Sequence, residues 1–61
     1  MANIVSALNK GQTLEEIMDQ MEKLVILQAL MISRGNKAKT AQLLNISRPG
    51  LYKKMVKLGL T

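Results

Sequence analysis

Residues 24–32 read "LVILQALMI", nine residues in which Gln28 is the only polar side chain. Wound into a helix, the run is apolar at every angle, and a helix that is apolar all round must be buried all round. That is a severe demand on a chain of 61 residues, because a domain of this size buries only about 60% of its unfolded surface. The sequence has no cysteine and no histidine, the residues that staple many small domains through disulfides or zinc. Tight helix packing or association remains. The same helix from a second copy is the simplest cover, with Met21, Leu24, Leu27, Gln28 and Met31 as the expected dimer contacts. The competing cover is residues 1–12 folded back over the run.

The run is also far short of the ~20 residues that cross a bilayer, and no basic, apolar, small-residue series marks a signal peptide at the start. Absence of cysteine fits a reducing compartment. A soluble, cytoplasmic protein without a membrane partner is expected. Charge then divides the chain. Residues 1–31 carry four acids against Lys10 and Lys23, a net of −2. Residues 32–61 carry Arg34, Lys37, Lys39, Arg48, Lys53, Lys54 and Lys57 with no acid, a net of +7. A block of one sign in half of a small domain attracts a polyanion, although a merely solubilising surface has the same composition. An anionic membrane fits less well, since the lysines do not oppose a wide, aromatic-rich apolar face.

Three helices can be placed by their ends. In "TLEE", Thr13 and Glu16 form a capping box that starts a helix over residues 14–33, with Arg34 and Gly35 as its ending. Asn36 caps a second helix over 37–44. Asn45 can take the left-handed turn conformation, and Ser47 caps a third helix over 48–58, closed by Gly59. Residues 1–12 are either a short helical arm or a linker. No strand pattern or repeat is present, so the fold expected over residues 13–61 is all-α, a long helix leading into two short ones. On the long helix, Leu14, Ile17, Met18, Met21 and Val25 share one stripe. Glu15, Glu16, Asp19, Glu22 and Lys23 take the other side, which reads as solvated.

Only "NIS" separates the second and third helices, and so short a link forces a large crossing angle, as in the helix-turn-helix unit. Ala41 supplies the small residue at the contact, Asn45 the turn, and Leu44, Ile46 and Leu51 the apolar anchors. On the third helix Leu51, Met55 and Leu58 share one face, with Pro49, Gly50, Lys53, Lys54 and Lys57 expected on the opposite one. Such a helix is held by its leucines and offers lysines outward, as one lying in a major groove must. Pro49 falls at the second helical position, where its missing amide has no helical partner anyway. Gly50 lowers helix stability but lets another surface approach closely. "SRPG" therefore reads as a DNA-contacting edge.

Residues 35–60, "GNKAKTAQLLNISRPGLYKKMVKLGL", resemble the Fis-type helix-turn-helix. That module occurs in the bacterial nucleoid protein Fis and as the C-terminal DNA-binding domain of NtrC-type activators that work with sigma-54. The matching features are the Gly-Asn opening, the alanine followed by two leucines, the "ISR" turn, "LYKK" and the closing Lys-Leu-Gly-Leu. The long helix, "TLEEIMDQMEKLVILQALMISR", also resembles the one preceding the motif in those activators. The resemblance implies a homodimer joined through the N-terminal helices, with a recognition helix in each of two successive major grooves. It implies sequence-specific double-stranded DNA binding in bacterial transcription regulation. In a full-length activator an ATPase domain and sigma-54 RNA polymerase would be further partners. Carried over by position, Arg48 would read a base, able to grip guanine with two bonds, and Lys53 would reach bases or phosphate. Asn36 and Ser47 would present caps and amides to phosphate, Lys37, Lys39, Lys54 and Lys57 would add positional charge, and Pro49, Gly50 and Tyr52 complete the expected DNA-facing set. Gly50 and Ala38 stand where the family usually has threonine or a similar polar residue, and Asn45 where it has glycine. Sequence preference therefore transfers less well than fold.

Other functions are poorer fits. An enzyme would have to work without histidine or cysteine and with acids explained by solvation, and no cofactor or metal is expected. RNA recognition by stacking has only Tyr52 to use. The serious alternative is a protein-interaction module built on the apolar half of the long helix.

Overall fold

The computed structural model describes residues 4–61. Four helices follow one another: α1 (Ile4–Asn9), α2 (Leu14–Ile32), α3 (Lys37–Leu43) and α4 (Arg48–Lys57). The fold is all-α, with no strand among the described residues.

Side chains start three of the helices. Thr13 Oγ1 accepts from the Glu16 amide at 3.2 Å while the Thr13 amide donates to Glu16 Oε1 at 3.0 Å, the reciprocal capping box. Asn36 Oδ1 accepts from the Lys39 amide and Ser47 Oγ from the Gly50 amide, both at 3.1 Å. Each bond satisfies an amide that the first helical turn leaves without a partner.

All four helices stop in the same way. The amide two residues past the cap reaches back to a carbonyl five residues earlier: Gln12 to Ala7, Gly35 to Leu30, Ile46 to Ala41 and Leu60 to Met55, at 2.8–3.1 Å. This closure needs a left-handed residue just past the cap. Glycine fills that place after α1 and α4, but Arg34 and Asn45 fill it after α2 and α3, each at φ 55°. The expected ending of α2 is thus refined. Ser33 is its cap, and the left-handed place falls on Arg34 before Gly35 also turns positive.

The core lies where the C-terminal half of α2 meets the helix pair. Ile26, Ala41, Leu51 and Met55 are buried together, with Leu30, Leu44, Ile46, Leu58 and Leu60 packed against them. Ala41 is the small residue at the contact, buried to 3% exposure. Beside it lies a polar pin that the sequence pattern gave no reason to expect. Thr40 is fully buried, and its hydroxyl lies 2.6 Å from Ser33 Oγ and 2.8 Å from the Asn36 carbonyl oxygen. The pair joins the end of α2 to α3 with its hydrogen bonds made, as a buried hydroxyl requires.

Elsewhere α2 is open. Of the apolar stripe, Leu14, Met18 and Val25 are 73%, 53% and 50% exposed, and Ile17 and Met21 are half-buried. α1 does not cover it. No residue of α1 is buried, and Ile4, Val5 and Leu8 are exposed themselves. The demand set by residues 24–32 is met on the Ile26 and Ala29 side only.

Candidate nucleic-acid interface

α4 is seated by Leu51 and Met55, at 1% and 3% exposure, with Leu58 against the same core. Arg48, Tyr52 and Lys53 are exposed on it. Pro49 occupies the first turn, where it interrupts no helical bond. A Cβ built on Gly50 would stand 3.0 Å from Ser47 Oγ, the oxygen that caps the helix. A side chain there would crowd the cap as well as any surface approaching it.

The two short helices begin with the wrong charge for stability. A helix N-terminus carries partial positive charge and favours acids in its first turn. α2 obeys, with Glu15 and Glu16 there. α3 and α4 have no acid in the first turn, and instead place Lys37, Lys39 and Arg48 in exposed positions at those ends. Amides, helix dipoles and cations there all favour an anion. The caps Asn36 and Ser47 are exposed beside them.

The structure divides the expected lysines. Lys53 stands free of acids among the described residues, but Lys54 Nζ lies 2.9 Å from Glu22 Oε2 and Lys57 Nζ 3.4 Å from Asp19 Oδ1. Two expectations need correction. Lys54 is half-buried and turned toward α2, not opposite the leucines, because at 100° per residue it lies only 60° from Leu51. Asp19 and Glu22 are not on a purely solvated side, since on α2 they flank the direction of Ile26, where α4 packs. The signal was legible: acids three residues apart on α2 and lysines three apart on α4, each beside a core position.

Apolar grooves flank the exposed side of α2. One of about 640 Å³ runs between α1, α2 and the turn before α4, lined by Ile4, Leu8, Met18, Leu44 and Ile46 among others. Another of about 580 Å³ includes Leu24, Gln28, Ile32 and Leu43. Met21 and Val25 border both. Of the expected dimer contacts, Met21, Leu24 and Gln28 line these grooves. Leu27 and Met31 are exposed on the far flank, 100° and 140° from Ile26 in the opposite sense.

Two helices joined through residues 44–47, the second held by its apolar face with cations at its outer edge, define a helix-turn-helix DNA-binding domain. The chain belongs to the Fis family: residues 17–58 match the family described as bacterial regulatory protein, Fis family. No curated protein and no solved structure matches the chain. No helix among the described residues is long and apolar enough to cross a membrane.

Proposed function

We propose that this domain binds double-stranded DNA sequence-specifically, as a homodimer, in the control of bacterial transcription. One observation carries the reading: α3 and α4 open with cations where helix stability favours acids, and such a broken local rule marks a functional site. Arg48 is the base-reading residue, its planar fork placed at the first turn of an exposed helix. Lys53 acts beside it. Lys37 and Lys39, with the Asn36 and Ser47 ends, hold the phosphate backbone and set the register. Pro49, Gly50 and Tyr52 border the contact.

Surface area supports the homodimer. One chain exposes 4749 Å², whereas folded monomers of 6.8 kDa expose about 3,950 Å². The excess of roughly 800 Å² is what one partner contributes to a standard interface. The groove face of α2, centred on Met21 and reaching Leu24 and Gln28, offers an apolar surface at the middle of such a contact. Leu27 and Met31 extend the contact on the far flank. Resemblance of the long helix to the one preceding the motif in sigma-54-dependent activators supports that setting, in which an ATPase domain and the polymerase are further partners.

The test is a selection from random duplexes, followed by titration of the selected and a scrambled duplex. Arg48→Ala should weaken the selected duplex by about 1–3 kcal/mol and relax preference at one base pair per half-site. Equal weakening on both duplexes would make Arg48 a positive charge and nothing more.

A further inference from the structure

Two ion pairs form a short ladder between the helices. Asp19 and Glu22 are three residues apart on α2, Lys57 and Lys54 three apart on α4, and the order reverses as it must for antiparallel neighbours. The next rung inward is the buried pair of Ile26 and Leu51. The lysine side chains keep 45% and 57% exposure and both acids 34%. Ion pairs this open contribute little to stability. Their consequence is electrostatic. Of seven cations in residues 32–61, these two are the ones held by acids; Arg34, Lys37, Lys39, Arg48 and Lys53 have no acidic partner among the described residues.

Resting on the DNA-binding reading, we propose that Asp19 and Glu22 are specificity-determining residues that withhold Lys57 and Lys54 from DNA phosphates. Attraction to phosphate is blind to sequence and supplies nearly all non-specific affinity. A lysine matched to a carboxylate adds no net charge to that attraction. If it swings to a phosphate it leaves an unpaired acid close to the polyanion. The base-reading end of α4 is unaffected, since Arg48 lies about two and a half turns before Lys57. Withholding two cations therefore lowers binding to random DNA while sparing the specific contact, and the ratio between the two rises.

Glu15 provides the control. It stands one turn before Asp19 on the same side of α2, carries the same charge and has no lysine partner among the described residues. The experiment is fluorescence anisotropy of the whole chain on a labelled random-sequence duplex over a fourfold range of salt. Thermal melting confirms that each variant is folded. The double variant Asp19→Asn/Glu22→Gln should steepen the salt slope by about 1.8 per bound chain, so that affinity falls roughly 12-fold more than wild type across that range. Glu15→Gln should leave the slope unchanged. Lys54→Gln/Lys57→Gln should leave it unchanged in the wild-type background and abolish the gain in the acid-free one. An acid-free slope equal to wild type, an equal gain from Glu15→Gln, or a slope already lowered by the lysine variant alone would each overturn the inference. So would a lower melting temperature with no change in slope, which would make the pairs structural. A wild-type chain that binds no duplex would instead sink the DNA-binding reading, and this one with it.

Discussion

The helix pair and the N-terminal arm use the same backbone devices and end in different states. In the α3–α4 unit the caps are filled, the Thr40 and Ser33 hydroxyls are paired, and Leu51 and Met55 are buried. The arm, α1 and the first half of α2, has an equally complete capping box and the same helix closure. Yet it buries no residue of α1, exposes Leu14 and Met18, and leaves Gln12 Oε1 shut from solvent with no partner among the described residues. The contrast separates two things that sequence encodes differently. Local hydrogen bonding decides where a helix starts and stops, whereas burial needs a second surface. The helix pair finds that surface in the C-terminal half of α2, and the arm is only partly covered among the described residues.

The largest test of the contrast sets a core residue against a groove residue. Leu51→Ala should cost about 2–5 kcal/mol. A chain this long has about 3–9 kcal/mol in total, so cooperative thermal unfolding should be weakened severely or lost, at every protein concentration. Met21→Glu should act through association instead. Its carboxylate can reach water in a single chain but not inside a dimer. The native domain should sediment as a dimer at micromolar concentration, with a melting temperature that rises with concentration. The Met21→Glu variant should sediment as a folded monomer whose melting temperature does not. A native chain that sediments as a stable monomer would show that the arm needs no cover, and the contrast would collapse.

The same contrast explains what the sequence made legible. The ends of α2, α3 and α4 rest on short-range chemistry, so Thr13, Asn36, Asn45 and Ser47 could be assigned their places from residue type and spacing. Ala41, Leu51 and Met55 followed from periodicity once the turn was located. Periodicity also indicated that α2 had too much apolar surface, but not which side the helix pair would take, because a run apolar at every angle has no preferred face. Thr40 was illegible because a threonine in a short polar helix looks exposed until Ser33 is brought opposite it. Charge counted along α4 alone puts Lys54 and Lys57 with Lys53, and the acids that α2 places beside them emerge only in the fold. At the candidate interface, residue types indicated the cation-bearing ends of α3 and α4; which cations have an acid beside them depended on tertiary pairing.

A smaller effect probes the helix pair's own turn. Asn45 holds φ 55° with its amide 3.1 Å from the Gln42 carbonyl oxygen. Asparagine tolerates this region and glycine has no steric penalty there, so Asn45→Gly should be neutral or slightly stabilising. Asn45→Val should destabilise by about 1–2 kcal/mol, since a β-branched residue resists positive φ. Chemical denaturation of both variants would measure the difference. Equal midpoints would mean that the turn relaxes out of the left-handed region when asked, and that the pair is less rigidly built than its filled caps suggest.

The smallest effect belongs to the arm, and it depends on pH. The Glu16 carboxyl is held below its ordinary value first by the hydrogen bond from the Thr13 amide and then by the Thr13 side chain. A carboxyl with a depressed value in the folded state adds stability above its unfolded value, and that stability is lost as pH falls through the folded one. Glu16→Gln keeps an oxygen that can accept from the Thr13 amide but removes the charge, and with it the favourable interaction with the start of α2. Wild type should therefore melt slightly above Glu16→Gln near neutral pH, and the gap should close as pH falls below the ordinary carboxylate range. Because the box lies in the arm, the closing gap should be seen most clearly in the proposed dimer, where α2 would be packed along its length. Melting curves of the two proteins over the acid range, at high and low concentration, would follow it. A gap that persists unchanged to low pH would mean that the charge of Glu16 contributes nothing, leaving shape and hydrogen bonding alone to start α2.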